Sequence, residues 1–302
     1  MRAGGDGSAA DGVARDLPTF IVIGAMKAGT TSLYHYLRNH EQIFMPKVKE
    51  LDFFAEGANW SRGLDWYRQQ FIGAGDAVAR GEASTLYTKY PQYDGVPERI
   101  AGVVPDVRLV YLVRDPIVRM RSHYQHRVAL GAETATPEVA LLENPIYLCY
   151  SRYAMQLERY LDHFPREQLL VLTSEALRHE RAAAVRQVHE FLGVGPTVFP
   201  PALETEFYRT AERRSYPPIV WSARQFLKRH VPQAKRAKEL VDSVVARRTA
   251  SSSDSGSAQP ASPPADKVIS PQLRERLTEL LRDDVAQLRR YMSPQFDGWG
   301  LG

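Results

Sequence analysis

Cysteine is almost absent: Cys149 stands alone among 302 residues. An internal disulfide is therefore excluded, as is a thiolate-based zinc cluster. Long hydrophobic runs are missing too. Stretches such as Phe20 to Met26 and Leu109 to Val113 fall far short of the roughly 20 residues that a membrane-spanning helix needs. The opening stretch Met1 to Asp16 is rich in Gly, Ala and Asp and has no apolar centre, so it reads as a disordered leader and not as a secretory signal. These absences together predict a reducing compartment, the cytoplasm. Neither sign of charge dominates: 39 Lys and Arg oppose 35 Asp and Glu, a net of +4 that does not by itself demand a nucleic acid partner. Wholesale disorder is excluded by an apolar content of 44% and a charged content of 25%, both ordinary for a globular domain.

What is present is an alternation of short apolar runs and helical patterns. Thr19 to Ile23 is a β-branched and aromatic run ending at Gly24, and Thr30 to Asn39 spaces Leu33, Tyr34, Tyr36 and Leu37 as a helix does. Further strands are expected at Val78 to Glu82, Arg108 to Val113 and Gln168 to Thr173. Helices are expected at Glu98 to Val103, Pro116 to Ala129, Arg152 to His163 and Ala182 to Leu192. Strands separated by helices predict an α/β fold with a central parallel sheet flanked by helices, P-loop-like in its opening unit.

The last third changes character. Trp221 to His230 and Gln233 to Arg247 read as helical, and residues 249–267 are Ser, Ala and Pro-rich and are expected to form a mobile loop. A terminal helix over Pro271 to Met292 carries an apolar stripe of Leu273, Leu277, Leu280, Leu281, Val285 and Leu288, which must pack back on the α/β core. The expected organisation is a leader over residues 1–16 and a single domain over 17–302 with a helical C-terminal region.

The sharpest local feature is Gly24-Ala25-Met26-Lys27-Ala28-Gly29-Thr30-Thr31, between the first strand and the first helix. Its glycines have the spacing of a phosphate-binding P-loop. Backbone N–H groups at a helix start attract an anion, and Thr30, Thr31 and Ser32 add hydroxyls. A nucleoside-triphosphate P-loop, however, places lysine directly after the second glycine, where this chain has Thr30. Lys27 lies inside the loop instead, at the leaving-group side of a 5′-phosphate. The same residues also fit an ordinary glycine turn with Lys27 solvated. A second anion site is suggested by Arg114-Asp115-Pro116, a strand end followed by a helix cap and a first-turn proline. Ser122 follows two turns into that helix. Both strand ends open to one edge of a parallel sheet, so Arg114 and Ser122 can hold a second phosphate of one nucleotide; a capped, solvent-facing helix with Arg114 paired to Asp115 or Glu82 accounts for them as well.

Taken together these segments resemble the sulfotransferases that use 3′-phosphoadenosine 5′-phosphosulfate (PAPS), the heparan-sulfate type and its bacterial relatives in particular. Lys27-Ala28-Gly29-Thr30-Thr31 is similar to that family's 5′-phosphosulfate loop, and Arg114-Asp115-Pro116 with Ser122 to its 3′-phosphate segment. Lys49-Glu50-Leu51-Asp52-Phe53-Phe54, Gly63-Leu64-Asp65-Trp66-Tyr67, Gly81-Glu82-Ala83-Ser84 and Ser151-Arg152-Tyr153-Ala154-Met155-Gln156-Leu157-Glu158 follow the family in order. The likeness runs from about Thr19 to Gly193. It implies PAPS as donor, adenosine 3′,5′-bisphosphate (PAP) as product, and no metal ion.

In-line sulfuryl transfer needs a base for the acceptor and a cation for the leaving phosphate oxygen. Lys27 supplies the cation. The resemblance makes Glu50 the base; an unshifted carboxylate near 4.3 is weak toward an alcohol, so Glu50 is expected to be partly desolvated or to collect the proton late. A surface carboxylate paired with Lys49 or Lys47 is the plain alternative. Asp52 stands where heparan-type enzymes often carry His, and Ala83 where they carry Lys, so a polysaccharide acceptor is not carried over. Asp52, Ser84 and Tyr153 are candidate acceptor contacts, Tyr153 fitting core packing equally well. His123 and His126, one helical turn apart, can line a cleft or serve the structure. Arg213 and Arg214 are the candidates for a late loop that closes on the 3′-phosphate.

The expected function is transfer of a sulfuryl group from PAPS to a hydroxyl of a small-molecule, sugar or lipid acceptor, with natural-product tailoring as the setting and no nucleic acid partner. An ATP-dependent P-loop kinase and a non-enzymatic polyanion-binding protein are the rivals. The charge distribution bears on the acceptor. Phe207 to Arg248 holds eleven Lys and Arg against three Asp and Glu, a local +8, which leaves the rest of the chain at −4. Most of that charge fits a solvated helix face, and it also offers peripheral contact to an acidic or membrane-borne acceptor.

Overall fold

A computed structural model describes residues 16–195 and 269–301. Five parallel strands form one sheet in the order β2-β3-β1-β4-β5: β1 (Phe20–Gly24), β2 (Ile43–Phe44), β3 (Ala79–Ala83), β4 (Arg108–Val113) and β5 (Leu169–Thr173). The central strand β1 is buried at all five residues, and four apolar residues in a row suit a strand covered on both faces. Its partner β3 approaches closely through Gly81, which pairs with Phe20. A Cβ at Gly81 would lie 2.2 Å from the Phe20 ring, so glycine there is a packing requirement.

The helices are α1 (Thr30–Arg38), α2 (Gly63–Gln69), α3 (Val96–Val103), α4 (Pro116–Ala129), α5 (Pro137–Glu143), α6 (Pro145–Cys149), α7 (Tyr153–Leu161), α8 (Ser174–His179), α9 (Arg181–Leu192) and α10 (Pro271–Leu288). The α/β architecture read from the sequence is thus the one observed. Helix α4 has the predicted bounds because its start is encoded locally: Asp115 Oδ1 accepts from the N–H groups of Ile117 at 2.9 Å and Val118 at 3.0 Å, ahead of Pro116. The expected helices over 221–230 and 233–247, the loop at 249–267 and most of the leader lie outside the described residues.

Helix α10 packs against α7 and α4, burying Leu273, Leu277, Leu281 and Val285 with Ile117, Met120, Tyr124 and Tyr147, while Leu288 joins the main core. Leu280 departs from the expected stripe and is 42% exposed. A carboxylate takes a place in the buried face: Asp284 accepts from the Ala154 and Met155 N–H groups at 3.1 and 3.0 Å and so caps α7 from 130 residues away. Cys149 is a free, half-buried thiol. Among the described residues no helix is long and apolar enough to cross a membrane.

Candidate active site

The segments of Lys27, Glu50, Glu82–Ser84 and Arg114 lie at or beyond the carboxyl ends of β1, β2, β3 and β4, where parallel α/β sheets bind ligands. The β1–α1 loop spans Ala25 to Gly29. Ala25 is fixed to β4 by its N–H donating to the Leu112 carbonyl at 2.7 Å. Gly29 caps α1 with φ +100°, a conformation glycine adopts without a Cβ clash. Ala28 is fully buried and Thr30 nearly so, while Thr31 and Ser32 are half-buried in the first turn of α1. That first turn holds no acidic residue, which leaves the positive end of the helix dipole uncompensated by the chain. Gly24 sits hard against the turn after β3, since a Cβ there would meet Thr88 Oγ1 at 2.0 Å.

The Arg114 segment meets this loop. Arg114 Nη1 donates to the Lys27 carbonyl at 3.2 Å, joining two segments 87 residues apart. No ion pair ties Arg114 to Asp115 or Glu82 among the described residues. Burial holds Arg114 below its ordinary value, and the neighbouring Arg178 on α8 adds to that while Glu175 opposes it. Arg178 was not singled out in the sequence. Ser122 is buried on α4 and Tyr153 is fully buried, its ring edge-on to Tyr111 at 5.9 Å. Tyr153 therefore belongs to the core beneath Arg114, its hydroxyl without a well-formed hydrogen bond. Arg213 and Arg214 lie outside the described residues.

The second half of the site is a cluster of carboxylates. Glu50 Oε1 is paired with the Lys49 ammonium, and Oε2 accepts from the Thr85 N–H at 2.9 Å and its hydroxyl at 3.0 Å. The Glu50 side chain is 34% exposed. Burial pushes this carboxyl up, but Lys49 and the two Thr85 donors outweigh it and hold Glu50 below the usual carboxylate range. The expected desolvation is present and does not strengthen the base. Asp52 lies next to it with its N–H donating to Ser84 Oγ at 2.9 Å. Ser84 is fully buried and donates in turn to Glu82 Oε2 at 2.6 Å, while the Tyr67 and Tyr87 hydroxyls both donate to Glu82 Oε1 at 2.8 Å. Burial raises Asp52 to about 7, with the Glu50 and Glu82 charges adding and Lys89 and Lys49 opposing. Glu82 also rises to about 7 through burial, which its three hydroxyl donors only partly offset.

Backbone strain marks the same residues. Among the described residues four other than glycine have positive φ, and three of them are Lys27 (72°), Glu50 (64°) and Asp52 (51°). Such conformations cost of order 1 kcal/mol or more each and cluster at functional sites.

Lys89 was also not singled out. It leaves the 3-10 turn Thr85–Thr88; its ammonium makes no hydrogen bond or ion pair among the described residues and packs 5.9 Å from the Tyr150 ring centre. Burial lowers its pKa while the nearby Glu50 and Asp52 carboxylates raise it. His123 is buried between Tyr147 and Tyr150, at 4.7 and 6.0 Å between ring centres. Burial, with Arg119 and Lys89 nearby, holds it far below its ordinary value, so it is an uncharged aromatic wall at neutral pH. Arg119 is fully buried, donating to Ser151 Oγ at 2.7 Å and the Tyr147 carbonyl at 2.8 Å. No group of metal-ligating side chains occurs among the described residues.

The arrangement matches known proteins. The family model described as "Sulfotransferase domain" matches residues 17–216, two thirds of the chain. The Mus musculus bifunctional heparan sulfate N-deacetylase/N-sulfotransferase 4 is 29% identical over 250 residues, covering 70% of this chain and 28% of that protein. The Homo sapiens bifunctional heparan sulfate N-deacetylase/N-sulfotransferase 3 is 32% identical over 203 residues, covering 60% and 23%. The chain thus spans about a quarter of the length of the curated relatives it matches. A sulfotransferase crystal structure from Alicyclobacillus acidocaldarius superposes with a TM-score of 0.63 at 27% identity, covering 94% of this chain and 99% of that one. A glycine loop with its lysine inside, an arginine from the next strand end and a family match over two thirds of the chain lead to one conclusion: this chain belongs to the sulfotransferase family, enzymes that transfer a sulfuryl group.

Proposed function

We propose that the chain moves the sulfuryl group of PAPS to a hydroxyl of a small-molecule, sugar or lipid acceptor, releasing PAP. The observation that carries this reading is the meeting of two anion-binding segments, with Arg114 Nη1 on the Lys27 carbonyl. A nucleotide carrying phosphates at both its 3′ and 5′ ends needs two such segments at one sheet edge. The N–H groups at the start of α1 and the hydroxyls of Thr30, Thr31 and Ser32 suit the 5′-phosphosulfate. Arg114 and Ser122 suit the 3′-phosphate, and Arg213 and Arg214 are assigned to it on the family resemblance alone. Lys27 places positive charge where the bridging oxygen leaves, so it favours the transition state over the ground state.

Glu50 and Asp52 are assigned to the acceptor side on the family resemblance; the charges of Lys49 and Lys89 oppose theirs. The relatives' names specify N-sulfotransferases of heparan sulfate; the hydroxyl acceptor is proposed on the family resemblance, and the polysaccharide is not carried over because Ala83 and Asp52 replace the family's Lys and His in the acceptor motifs. Thermal melting tests the donor. PAP is expected to stabilise the protein and ATP with Mg²⁺ is not; the reverse result overturns the reading. Labelled PAPS offered with phenols, glycosides, lipids and polysaccharides then identifies the acceptor class.

A further inference from the structure

We infer that Trp299, acting through Glu175, is a positioning residue for the 3′-phosphate side of the nucleotide site; the inference rests on the reading that Arg114 and Ser122 take that phosphate. Trp299 lies in the 3-10 turn Gly298–Gly300 that follows α10. It is the fourth described residue other than glycine with positive φ, at 57°, beside Lys27, Glu50 and Asp52. Its backbone is held in that costly conformation by Asp297, whose Oδ1 accepts from the Trp299 N–H at 2.8 Å. The indole ring packs edge-on to Phe296 at 4.7 Å between centres, and it meets Tyr153, the residue beneath Arg114, at 6.1 Å. Its ring N–H donates to Glu175 Oε2 at 3.3 Å, across 124 residues.

Glu175 is the link between that indole and the site. Its other oxygen, Oε1, accepts from the Asp115 N–H at 3.3 Å. That N–H belongs to the peptide joining Arg114 to Asp115, and Asp115 in turn caps α4, the helix that carries Ser122. One carboxylate from α8 therefore holds the backbone between the two residues assigned to the phosphate.

The charge of Glu175 is nevertheless at odds with the place. A carboxylate near Arg114 opposes an incoming phosphate and offers the guanidinium a rival anion. Yet no ion pair joins Arg114 to Glu175; Arg114 Nη1 stays on the Lys27 carbonyl at 3.2 Å. The two N–H donors account for this. With the indole on Oε2 and the Asp115 peptide on Oε1, both carboxylate oxygens are engaged and the guanidinium is left for the phosphate. Phenylalanine at 299 would keep a ring against Tyr153 and Phe296 but lose the indole donor. Glu175 Oε2 would then be released to pair with Arg114 in competition with the nucleotide.

Calorimetric titration with two ligands tests this. PAP carries the 3′-phosphate, and adenosine 5′-phosphate is the same nucleotide without it. Trp299→Phe should weaken PAP by about tenfold and adenosine 5′-phosphate by less than about twofold, so that the loss resides on the 3′-phosphate. Adding Glu175→Gln to Trp299→Phe keeps an acceptor for the Asp115 N–H and removes the rival charge. It should bring PAP back to within about threefold of the wild type. Glu175→Asp, too short to hold both donors, should repeat the selective loss with Trp299 intact, and it decides alone if Trp299→Phe does not fold. A Trp299→Phe protein that weakens both ligands equally, or keeps the wild-type preference for PAP, overturns the inference. So does a double variant that recovers no PAP affinity, and so does a Glu175→Asp protein with the wild-type preference. A wild type that binds the two ligands equally would instead remove the reading of Arg114 and Ser122 as the 3′-phosphate site, which separates the two failures.

Discussion

Replacing Glu82 by Gln should change how stability depends on pH. Glu82 is 1% exposed and surrounded by the hydroxyls of Tyr67, Tyr87 and Ser84. Burial raises its pKa from the ordinary 4.5 to about 7, so between these values the folded protein binds more protons than the unfolded chain. Stability contributed by this group is then complete below the unfolded value and is lost as pH rises through about 7. At 1.36 kcal/mol per pKa unit, the loss between pH 5 and pH 8 is about 2 to 3 kcal/mol. Glu82→Gln removes the titration. Its amide still accepts from the two tyrosines, but its NH₂ faces Ser84 Oγ, which already accepts from the Asp52 N–H at 2.9 Å. The variant should therefore be the weaker protein at pH 5 and gain on the wild type by about 2 to 3 kcal/mol by pH 8. Urea unfolding of both proteins at four pH values reads this directly, and titrations they share cancel in the difference. Profiles that run parallel to within about 0.5 kcal/mol would refute the claim that Glu82 is protonated by burial.

Gly81→Ala places a methyl 2.2 Å from the Phe20 ring and should cost about 1 to 3 kcal/mol; adding Phe20→Leu should recover part of that loss, as a urea double-mutant cycle would show. Asp284→Ala removes both hydrogen bonds to the α7 N-terminus and should destabilise the fold by about 1 to 2 kcal/mol at neutral pH, with thermal melting as the readout. Lys27→Met should lower the turnover of labelled PAPS by about 10² to 10³ and weaken PAP binding much less, because the loop's backbone N–H groups remain.

Much of the fold was legible because its signals are local. The buried run Phe20–Gly24 and the cap-and-proline start of α4 place a strand and a helix without reference to anything distant. Strand β2 was not legible: two residues, Ile43 and Phe44, form a strand only by pairing with Ala79 and Arg80. The short helices α5, α6 and α8 are likewise too brief for a periodicity to show. Leu280 fits the apolar stripe of α10 by spacing, yet it faces outward while Asp284 turns inward to cap α7. Spacing counts positions on a helix; it cannot report which neighbour carries orphan N–H groups. In the site, the loop around Lys27 and the Arg114 segment were recognisable as motifs. Lys89 and Arg178 were not, since nothing in their flanking residues distinguishes them from solvated cations.

The sequence by itself determined the near-absence of cysteine, the alternation of apolar strands and helices, and the order of six motifs along the chain, because each depends on residues close together. Only the tertiary structure decided the chemical state of the carboxylates. Glu50 and Asp52 are two residues apart and look alike in the sequence, yet one is held below the carboxylate range and the other is raised to about 7. The difference comes from Lys49 and Thr85 on one side and from burial beside Glu82 on the other. Proton affinity is set by distance and desolvation, and both exist only once the strands have brought these loops together.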